Sequence, residues 1–172
     1  MDFEELIRIR QSCRSFDPAR PVEDEKLMKC VRAAKMAPSA VNEQPYNIWV
    51  VREKAKELAQ AKGFNRFLDD CSVFVVFTDV PYQGTKVQTV ADAAAIDFRT
   101  QDVGESIAYF TLQAAELGLS TCIIGAFDRD IAHKVLGTAD HIQIILAVGY
   151  AEEGYPIREK KRKSIEENVK FI

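Results

Sequence analysis

The sequence lacks the patterns that define several large classes of protein. Its longest apolar runs are far shorter than the ~18 residues needed to span a bilayer, so we expect no membrane segment. No G-x-G-x-x-G follows a predicted strand and no G-x-x-x-x-G-K-[ST] occurs, which argues against a Rossmann domain and a P-loop NTPase. The four cysteines form no C-x-x-C pair and match no zinc spacing, so no metal site is expected.

The chain also lacks an excess of positive charge. Its formal net charge is −3, so no global basic field favours nucleic acid or an anionic membrane as a partner. The acidic, helix-patterned start at Met1–Glu5 is unlike a signal peptide. Because Cys30, Cys71 and Cys122 lie in apolar contexts, we interpret them as buried thiols of a cytoplasmic protein. The positive charge that is present is local, near residue 10 and near residue 160.

The pattern of apolar residues predicts a single domain, residues 1–172, in which helices and strands alternate. With 172 residues, of which 47% are hydrophobic, the chain can build one substantial core. The apolar run Val73–Phe77 predicts a strand buried on both faces. A 4-3-4-3 spacing from Val103 to Leu117, followed by Gly118, predicts the clearest helix. The other predicted elements are helices near 3–10, 23–36, 54–62 and 129–136, strands at 48–51, 119–124 and 142–148, and a loop over 79–98 with weak helical character at 91–98.

A basic run near the start, Arg10-Gln11-Ser12-Cys13-Arg14-Ser15-Phe16, has enough donors to hold a phosphate dianion. In an extended segment Arg10, Ser12 and Arg14 project to one side, and a guanidinium binds phosphate through two parallel hydrogen bonds. The same run also fits a solvated basic end of a helix, where arginine offsets the helix dipole. The run alone leaves both interpretations open.

A loop of small and amide side chains follows the second predicted helix, at Ala37-Pro38-Ser39-Ala40-Val41-Asn42-Glu43-Gln44-Pro45. Asn42 and Gln44 each carry a donor and an acceptor, which suits a heterocycle with alternating N–H and C=O edges. Ser39 and Ala40 are small enough for a flat ring to approach the backbone. A simple helix stop and turn would also explain Pro38 and Ser39.

Two further features lie late in the chain. A predicted strand ends at Gly125-Ala126, where backbone N–H groups can face a ligand without obstruction by side chains. The run Lys160-Lys161-Arg162-Lys163-Ser164-Ile165-Glu166-Glu167 is a solvated tail if it extends into water. It becomes part of a phosphate site only if it folds back to Arg10.

In this order, and together with Gly149-Tyr150, these runs resemble the nitroreductase family of FMN-dependent oxidoreductases along nearly the whole chain. The family pattern is R-x-S-x-R-x-F, then A-P-S-x-x-N-x-Q-P, a helix ending in L-G-L-x-T, then I-G, G-Y and a basic R-K-x-x-E-E stretch. The resemblance implies an α+β fold with a central mixed β-sheet flanked by helices. It also implies an intertwined homodimer with shared FMN sites.

The resemblance assigns roles to residues of this chain. It implies no catalytic side chain, since the flavin carries the chemistry, but it places a cation where negative charge develops on the reduced ring. Gln44 is expected to support the loop that precedes it. The implied cofactor contacts are Arg10, Gln11, Ser12, Lys160 and Arg162 at the phosphate and ribityl chain, Arg14 at the N1–C2=O edge of the ring, Gly125 and Ala126 near N5 and O4, and Pro38, Ser39, Ala40 and Asn42 from the other subunit.

The activity implied by the resemblance is hydride transfer from NADH or NADPH through FMN to a small-molecule acceptor, such as a nitroaromatic or a quinone, by a ping-pong mechanism. An alternative is an FMN carrier or sensor without NAD(P)H turnover, because the chain is compact and its lid short. A specialised flavoprotein of the same fold, such as a dehalogenase, is a third interpretation.

The segment 79–98 corresponds to the portion that covers the flavin in related proteins, with Tyr82 and Phe98 as candidate lid residues. Arg66, with Asn65 beside it, is a candidate for contact with the ring.

Three smaller expectations remain open in the sequence. The tail Val169–Ile172 either adds a strand to the partner's sheet or frays in solvent. Cys13 lies beside two arginines, which would lower its pKa, or it is an inert thiol. His133 and His141 are expected to be structural or surface groups.

Overall fold

Seven α-helices and four strands make up the fold, and a computed structural model describes all of residues 1–172. The helices are α1 (Phe3–Ile9), α2 (Asp24–Lys35), α3 (Ala55–Leu58), α4 (Thr85–Ala94), α5 (Arg99–Glu116), α6 (Arg129–Leu136) and α7 (Ile165–Asn168). The strands are β1 (Tyr46–Val51), β2 (Val73–Asp79), β3 (Ser120–Ile124) and β4 (His141–Gly149). Short 3₁₀ turns lie at Ala40–Asn42, Ala59–Lys62 and Arg66–Asp70.

The four strands form one sheet in the order β1-β2-β4-β3, and every neighbouring pair is antiparallel. The α+β class is confirmed, but the expected mixed sheet is wrong for these strands. Parallel pairing occurs as a single bridge between Ser12 and Thr121, which places the basic run at the outer edge of β3. The outer edge of β1 remains unpaired.

Helices cover both faces of the sheet. On one face α2 and α5 pack against Val73, Val75 and Phe77 of β2. On the other face α3 and α6 pack against Phe74 and Val76. All seven residues of β2 are buried, so the prediction of a strand covered on both sides is confirmed.

Local signals start and end several helices, and the predicted one at Gly118 is confirmed. The Asp2 carboxylate accepts a hydrogen bond from the Glu5 N–H at 2.8 Å and caps α1. Asp128 caps α6 in the same way, and Gly118 follows α5 with a φ of +75°. A left-handed φ favours glycine because it has no Cβ. None of the seven helices combines the length and the apolar composition that a membrane crossing requires.

The helix predicted weakly at 91–98 is misplaced. The structure has α4 at Thr85–Ala94, and Ala95 ends it with a left-handed φ of +52°. No side chain within α4 or at Gly84 caps its start. Glu43, 41 residues away in sequence from Gly84, accepts instead from the N–H groups of Gln83 and Gly84 just before the helix, so no local pattern marks where α4 begins.

Candidate functional site

The basic run near the start and the basic tail meet in one pocket, which we call the basic pocket. It encloses about 220 Å³ and is lined by nine residues, none of them hydrophobic. Six of them carry positive charge and one carries negative charge. The lining residues are Arg10, Gln11, Ser12, Arg14, Arg158, Glu159, Lys160, Lys161 and Arg162. The tail therefore folds back to Arg10, as a shared phosphate site requires.

The amide of Gln11 fastens the tail to the basic run. Its Nε2 donates to the carbonyl of Pro156 at 2.8 Å, and its Oε1 accepts from the backbone N–H of Arg158 at 3.1 Å and from Nε of Arg158 at 3.2 Å. The Arg158 guanidinium also donates to the carbonyl of Ser12. Both ends of the Gln11 amide are thus engaged within the chain, so Gln11 shapes the basic pocket.

The positive charges in the basic pocket lie close together and form no salt bridges. The Lys160 ammonium donates to the carbonyl of Arg10 at 2.5 Å. Burial, and then the nearby guanidiniums of Arg10, Arg162 and Arg158, hold the pKa of Lys160 below its ordinary value. None of the salt bridges in the structure involves Arg10, Arg14 or the tail cations. This set of donors fits a phosphate dianion, whose charge would offset the repulsion among the cations.

An apolar groove continues from the basic pocket between α1 and α5. The groove encloses about 950 Å³, and its apolar wall consists of Ile7, Ile107, Ala108, Leu112, Ile123 and Ile157. It shares Arg10, Arg158, Glu159, Lys160 and Arg162 with the basic pocket. Ligand pockets usually enclose about 300–1,000 Å³, so the basic pocket alone suits a head group, and the adjoining groove can take a larger apolar part.

The end of β3 lies beside the groove, since Ile123 lines the groove and Gly125 and Ala126 follow it. Both residues are exposed. A Cβ on Gly125 would meet only the Ile144 side chain at 3.7 Å, an ordinary contact, so the fold itself does not require glycine there. Nδ2 of Asn65 donates to the carbonyl of Ala126 at 3.3 Å. Asn65 therefore reaches the end of β3, whereas the side chain of Arg66 makes no hydrogen bond or salt bridge.

The loop 38–44 has a strained backbone. Val41, Asn42 and Gln44 have φ values of +46°, +60° and +51°. Asn tolerates this left-handed region, but for a β-branched residue such as Val41 it costs on the order of 1–3 kcal/mol. The Ser39 hydroxyl accepts from the Gln44 N–H at 3.0 Å, so Gln44 does support the loop. Strain of this kind persists only where surrounding contacts hold it.

A buried carboxylate of α5 also holds this loop. Oδ1 of Asp102 accepts from the Ala40 N–H at 3.1 Å, and Oδ2 is buried without a partner. Burial raises the pKa of Asp102. Sequence reasoning missed Asp102 because an acidic residue in the first turn of a helix is ordinary. Its partner, 62 residues away, is a backbone group.

The structure does not bring all the predicted contacts into one place. Pro38, Ser39, Ala40 and Asn42 line neither the basic pocket nor the apolar groove of their own chain. The resemblance implied that they come from another subunit. Their role at a shared site stays a prediction.

Phe16 and Gly149 form a close contact beneath the basic pocket. Phe16 is 2% exposed, and a Cβ on residue 149 would lie 2.9 Å from its Cδ1. The short distance between the Phe16 ring and the backbone of residue 149 explains why glycine precedes Tyr150 and why Phe16 ends the basic run. Cys13, in the same segment, is buried, and burial raises its pKa despite the effect of Arg158. Of the two alternatives for Cys13, the raised pKa favours the inert thiol, because desolvation outweighs the nearby charge.

The candidate lid residues join one network. The Tyr82 hydroxyl accepts from the Phe98 N–H at 2.9 Å and donates to Asp97 at 3.1 Å. The Arg99 guanidinium then links Asp97 to the buried Asp79, with Nη1 of Arg99 at 3.2 Å from the Asp79 carboxylate. These contacts fix both ends of the segment around α4.

Both histidines of the chain have structural partners. His141 lies 2.7 Å from the Asp79 carboxylate, and His133 lies 2.9 Å from the carbonyl of Thr138.

Comparison with known proteins adds independent evidence. The profile of the Nitroreductase family matches residues 7–62 and 53–150. A protein of Archaeoglobus fulgidus, provisionally named NADH dehydrogenase/NAD(P)H nitroreductase, is 29% identical over 90% of this chain and 86% of its own. An FMN reductase [NAD(P)H] of Bacillus subtilis is 27% identical over 81% of this chain and 48% of its own. The crystal structure of a nitroreductase family protein from Streptococcus pneumoniae superposes with a TM-score of 0.83 at 20% identity, over 99% of this chain and 100% of that one.

Proposed function

The chain belongs to the nitroreductase family, and from that premise we propose that it binds FMN and passes hydride from NADH or NADPH to a small acceptor, such as a nitroaromatic or a quinone. The observation that carries the proposal is the junction of the basic pocket with the apolar groove. One end complements a phosphate, and the other offers a long apolar wall. The related FMN reductase supports FMN as the cofactor and NAD(P)H as the donor.

Residues of the basic pocket would hold the phosphate and ribityl chain. Arg10, Ser12, Lys160 and Arg162 supply donors and charge, and Gln11 keeps the tail in place. The chemistry that FMN supplies when bound is hydride transfer in two half-reactions, a ping-pong scheme. Arg14 lines the same pocket, and we assign it the role of holding positive charge at the ring edge.

We propose that the site is completed by a second copy of the chain. Exposed apolar side chains lie around the groove and on the tail, including Phe3, Ile7, Tyr109 and Phe171. The outer edge of β1 is unpaired and can accept the partner's tail as a strand. In this arrangement the partner supplies the loop 38–44, which lines neither the basic pocket nor the apolar groove of its own chain. All four cysteines are free, which supports a reducing, cytoplasmic location.

Mixed dimers test whether the sites are shared. Lys160→Met and Asn42→Ala subunits, each expected to bind FMN weakly as a homodimer, are co-expressed with different affinity tags and purified as the mixed species. If Lys160 and Asn42 of different subunits meet, one of the two sites is intact and half the flavin occupancy returns. If both act within one chain, no site is intact and occupancy stays low.

The visible absorption spectrum of the purified protein tests the function itself. The spectrum is recorded anaerobically before and after NADH and then NADPH. Flavin bands that bleach establish a reductase and identify the donor. Bands that persist with both nucleotides favour an FMN carrier or sensor. A colourless protein that takes up no added FMN refutes the proposed function.

A further inference from the structure

A single carboxylate joins the strained loop 38–44 to the start of α4. Oε1 of Glu43 accepts from the backbone N–H groups of Gln83 at 2.5 Å and Gly84 at 2.9 Å. We propose that Glu43 is a positioning residue that couples FMN binding at this loop to the order of α4. The inference rests on the proposed function, which places the loop against the flavin.

Glu43 supplies what α4 lacks locally. The N–H groups at the start of a helix have no partner within the helix, and the N-cap residue Gly84 has no side chain to cap them. Glu43 accepts the N–H of Gly84 itself and that of Gln83 before it, which fixes the backbone where α4 starts. A carboxylate at this end also complements the helix dipole. Because both donors converge on one oxygen, a shift of Glu43 with its loop breaks both hydrogen bonds together.

The absence of a side chain at Gly84 leaves room for the Glu43 carboxylate in its observed position. The backbone of Gly84 has φ −94° and ψ 132°, which any residue adopts readily. A Cβ there would nevertheless lie 2.8 Å from Oε2 of Glu43. Replacing Gly84 by alanine therefore displaces the carboxylate while leaving the backbone conformation available.

The opposite end of the loop is fixed to the core. The Asp102 carboxylate holds Ala40 to α5, so the loop cannot drift freely when Glu43 moves. The strained residues between Ala40 and Gln44 transmit a change at one end to the other, because their backbone conformation depends on contacts on both sides. A ligand that fixes the loop thereby fixes Glu43, and the coupling is reciprocal.

Hydrogen exchange of the amides of residues 84–94, with and without FMN, tests the coupling in the full-length protein. In the parent, FMN should slow this exchange. In Glu43→Ala and Gly84→Ala we expect exchange about tenfold faster than in the FMN-bound parent, and little further change on adding FMN. By reciprocity, the Kd for FMN should also rise in these two variants. Glu43→Gln keeps an acceptor oxygen and should retain the parent's response.

The double variant Glu43→Ala/Gly84→Ala should behave like Glu43→Ala, because both changes break one contact. FMN that binds the parent yet leaves exchange of residues 84–94 unchanged would overturn the coupling while the proposed function stands. The same holds if the alanine variants keep the parent's FMN-dependent protection. If the parent binds no FMN, the proposed function fails and the coupling fails with it.

Discussion

Replacing Lys160 by methionine should weaken the binding of FMN without weakening the fold. Methionine keeps the length and apolar stem of the side chain and removes its charge. An ammonium and a phosphate ~4 Å apart attract by about 4 kcal/mol at an effective dielectric constant of about 20. Charge-assisted hydrogen bonds contribute about 1.5–3 kcal/mol. Since Lys160 is only half-buried, we expect a loss of about 2 kcal/mol, or about 30-fold in Kd.

The effect on stability should be much smaller than the effect on binding. In the folded protein the pKa of Lys160 lies below its ordinary value, so folding disfavours the charged ammonium. This penalty is present below the folded-state pKa and fades as pH rises towards the ordinary value. Methionine removes the penalty but also the hydrogen bond to the Arg10 carbonyl, and because these two effects oppose each other the free energy of unfolding without FMN should change little at neutral pH.

Fluorescence titration with FMN and with riboflavin, which lacks the phosphate, measures the effect. Lys160→Met should weaken FMN binding and leave riboflavin binding unchanged. Lys163→Met is the matched control, because it removes the same charge from the same tail at a residue that does not line the basic pocket. Equal losses for FMN and riboflavin, or equal losses in the two variants, would refute the assignment of a phosphate to this pocket.

Three further predictions concern one residue of the basic pocket, Arg14, and two residues elsewhere in the fold, Gly149 and Glu23. Arg14→Ala should weaken FMN binding and lower the reduction potential of the bound flavin, measured by redox titration, because the reduced anion loses a cation; an unchanged potential would place Arg14 elsewhere. Gly149→Ala should destabilise the protein by about 1–3 kcal/mol in urea unfolding, because its Cβ would overlap Phe16; parent-like stability would mean that the ring moves freely. Hydrogen bonding from Tyr150 and Lys26 lowers the pKa of Glu23 from 4.5 to about 2, so the stability that Glu23 contributes should be lost as pH falls through this range. In urea unfolding between about pH 6 and 2, Glu23→Gln should lack this loss of stability, and a pH dependence equal to the parent's would contradict the prediction.

Local signals in the sequence were sufficient where the structure depends on neighbours along the chain. The periodicity of α5 and the glycine after it predicted both the helix and its end, and the run Val73–Phe77 predicted a strand covered on both faces. These predictions succeeded because hydrophobic period and capping act within a few residues. The start of α4 was missed since its cap, Glu43, comes from a distant loop.

The basic pocket shows the limit of such reasoning more clearly. The residues at 10–14 and 160–162 could be proposed from their chemistry, but both a solvated tail and a folded-back tail agreed with the sequence. The contact that decides between them joins Gln11 to Arg158, 147 residues apart. Arg158 belongs to the basic stretch, yet its hydrogen bonds to Gln11 and Ser12 depend on the tertiary path of the tail. The same limit applies to Cys13, because its burial, which depends on tertiary packing, outweighs the charge of nearby arginines and raises its pKa.

Net charge and local charge act in opposite directions on an anionic ligand of this protein. The chain carries a net charge of −3, which gives no long-range attraction to a phosphate. At physiological ionic strength the field of distant charges is screened beyond ~8 Å, whereas the six cations that line the basic pocket act within that distance. Binding should therefore be governed by the pocket and weaken with added salt, even though the protein as a whole is acidic. The same cations repel one another when no anion is present, so a phosphate that enters the pocket also stabilises the docked tail that helps to form it.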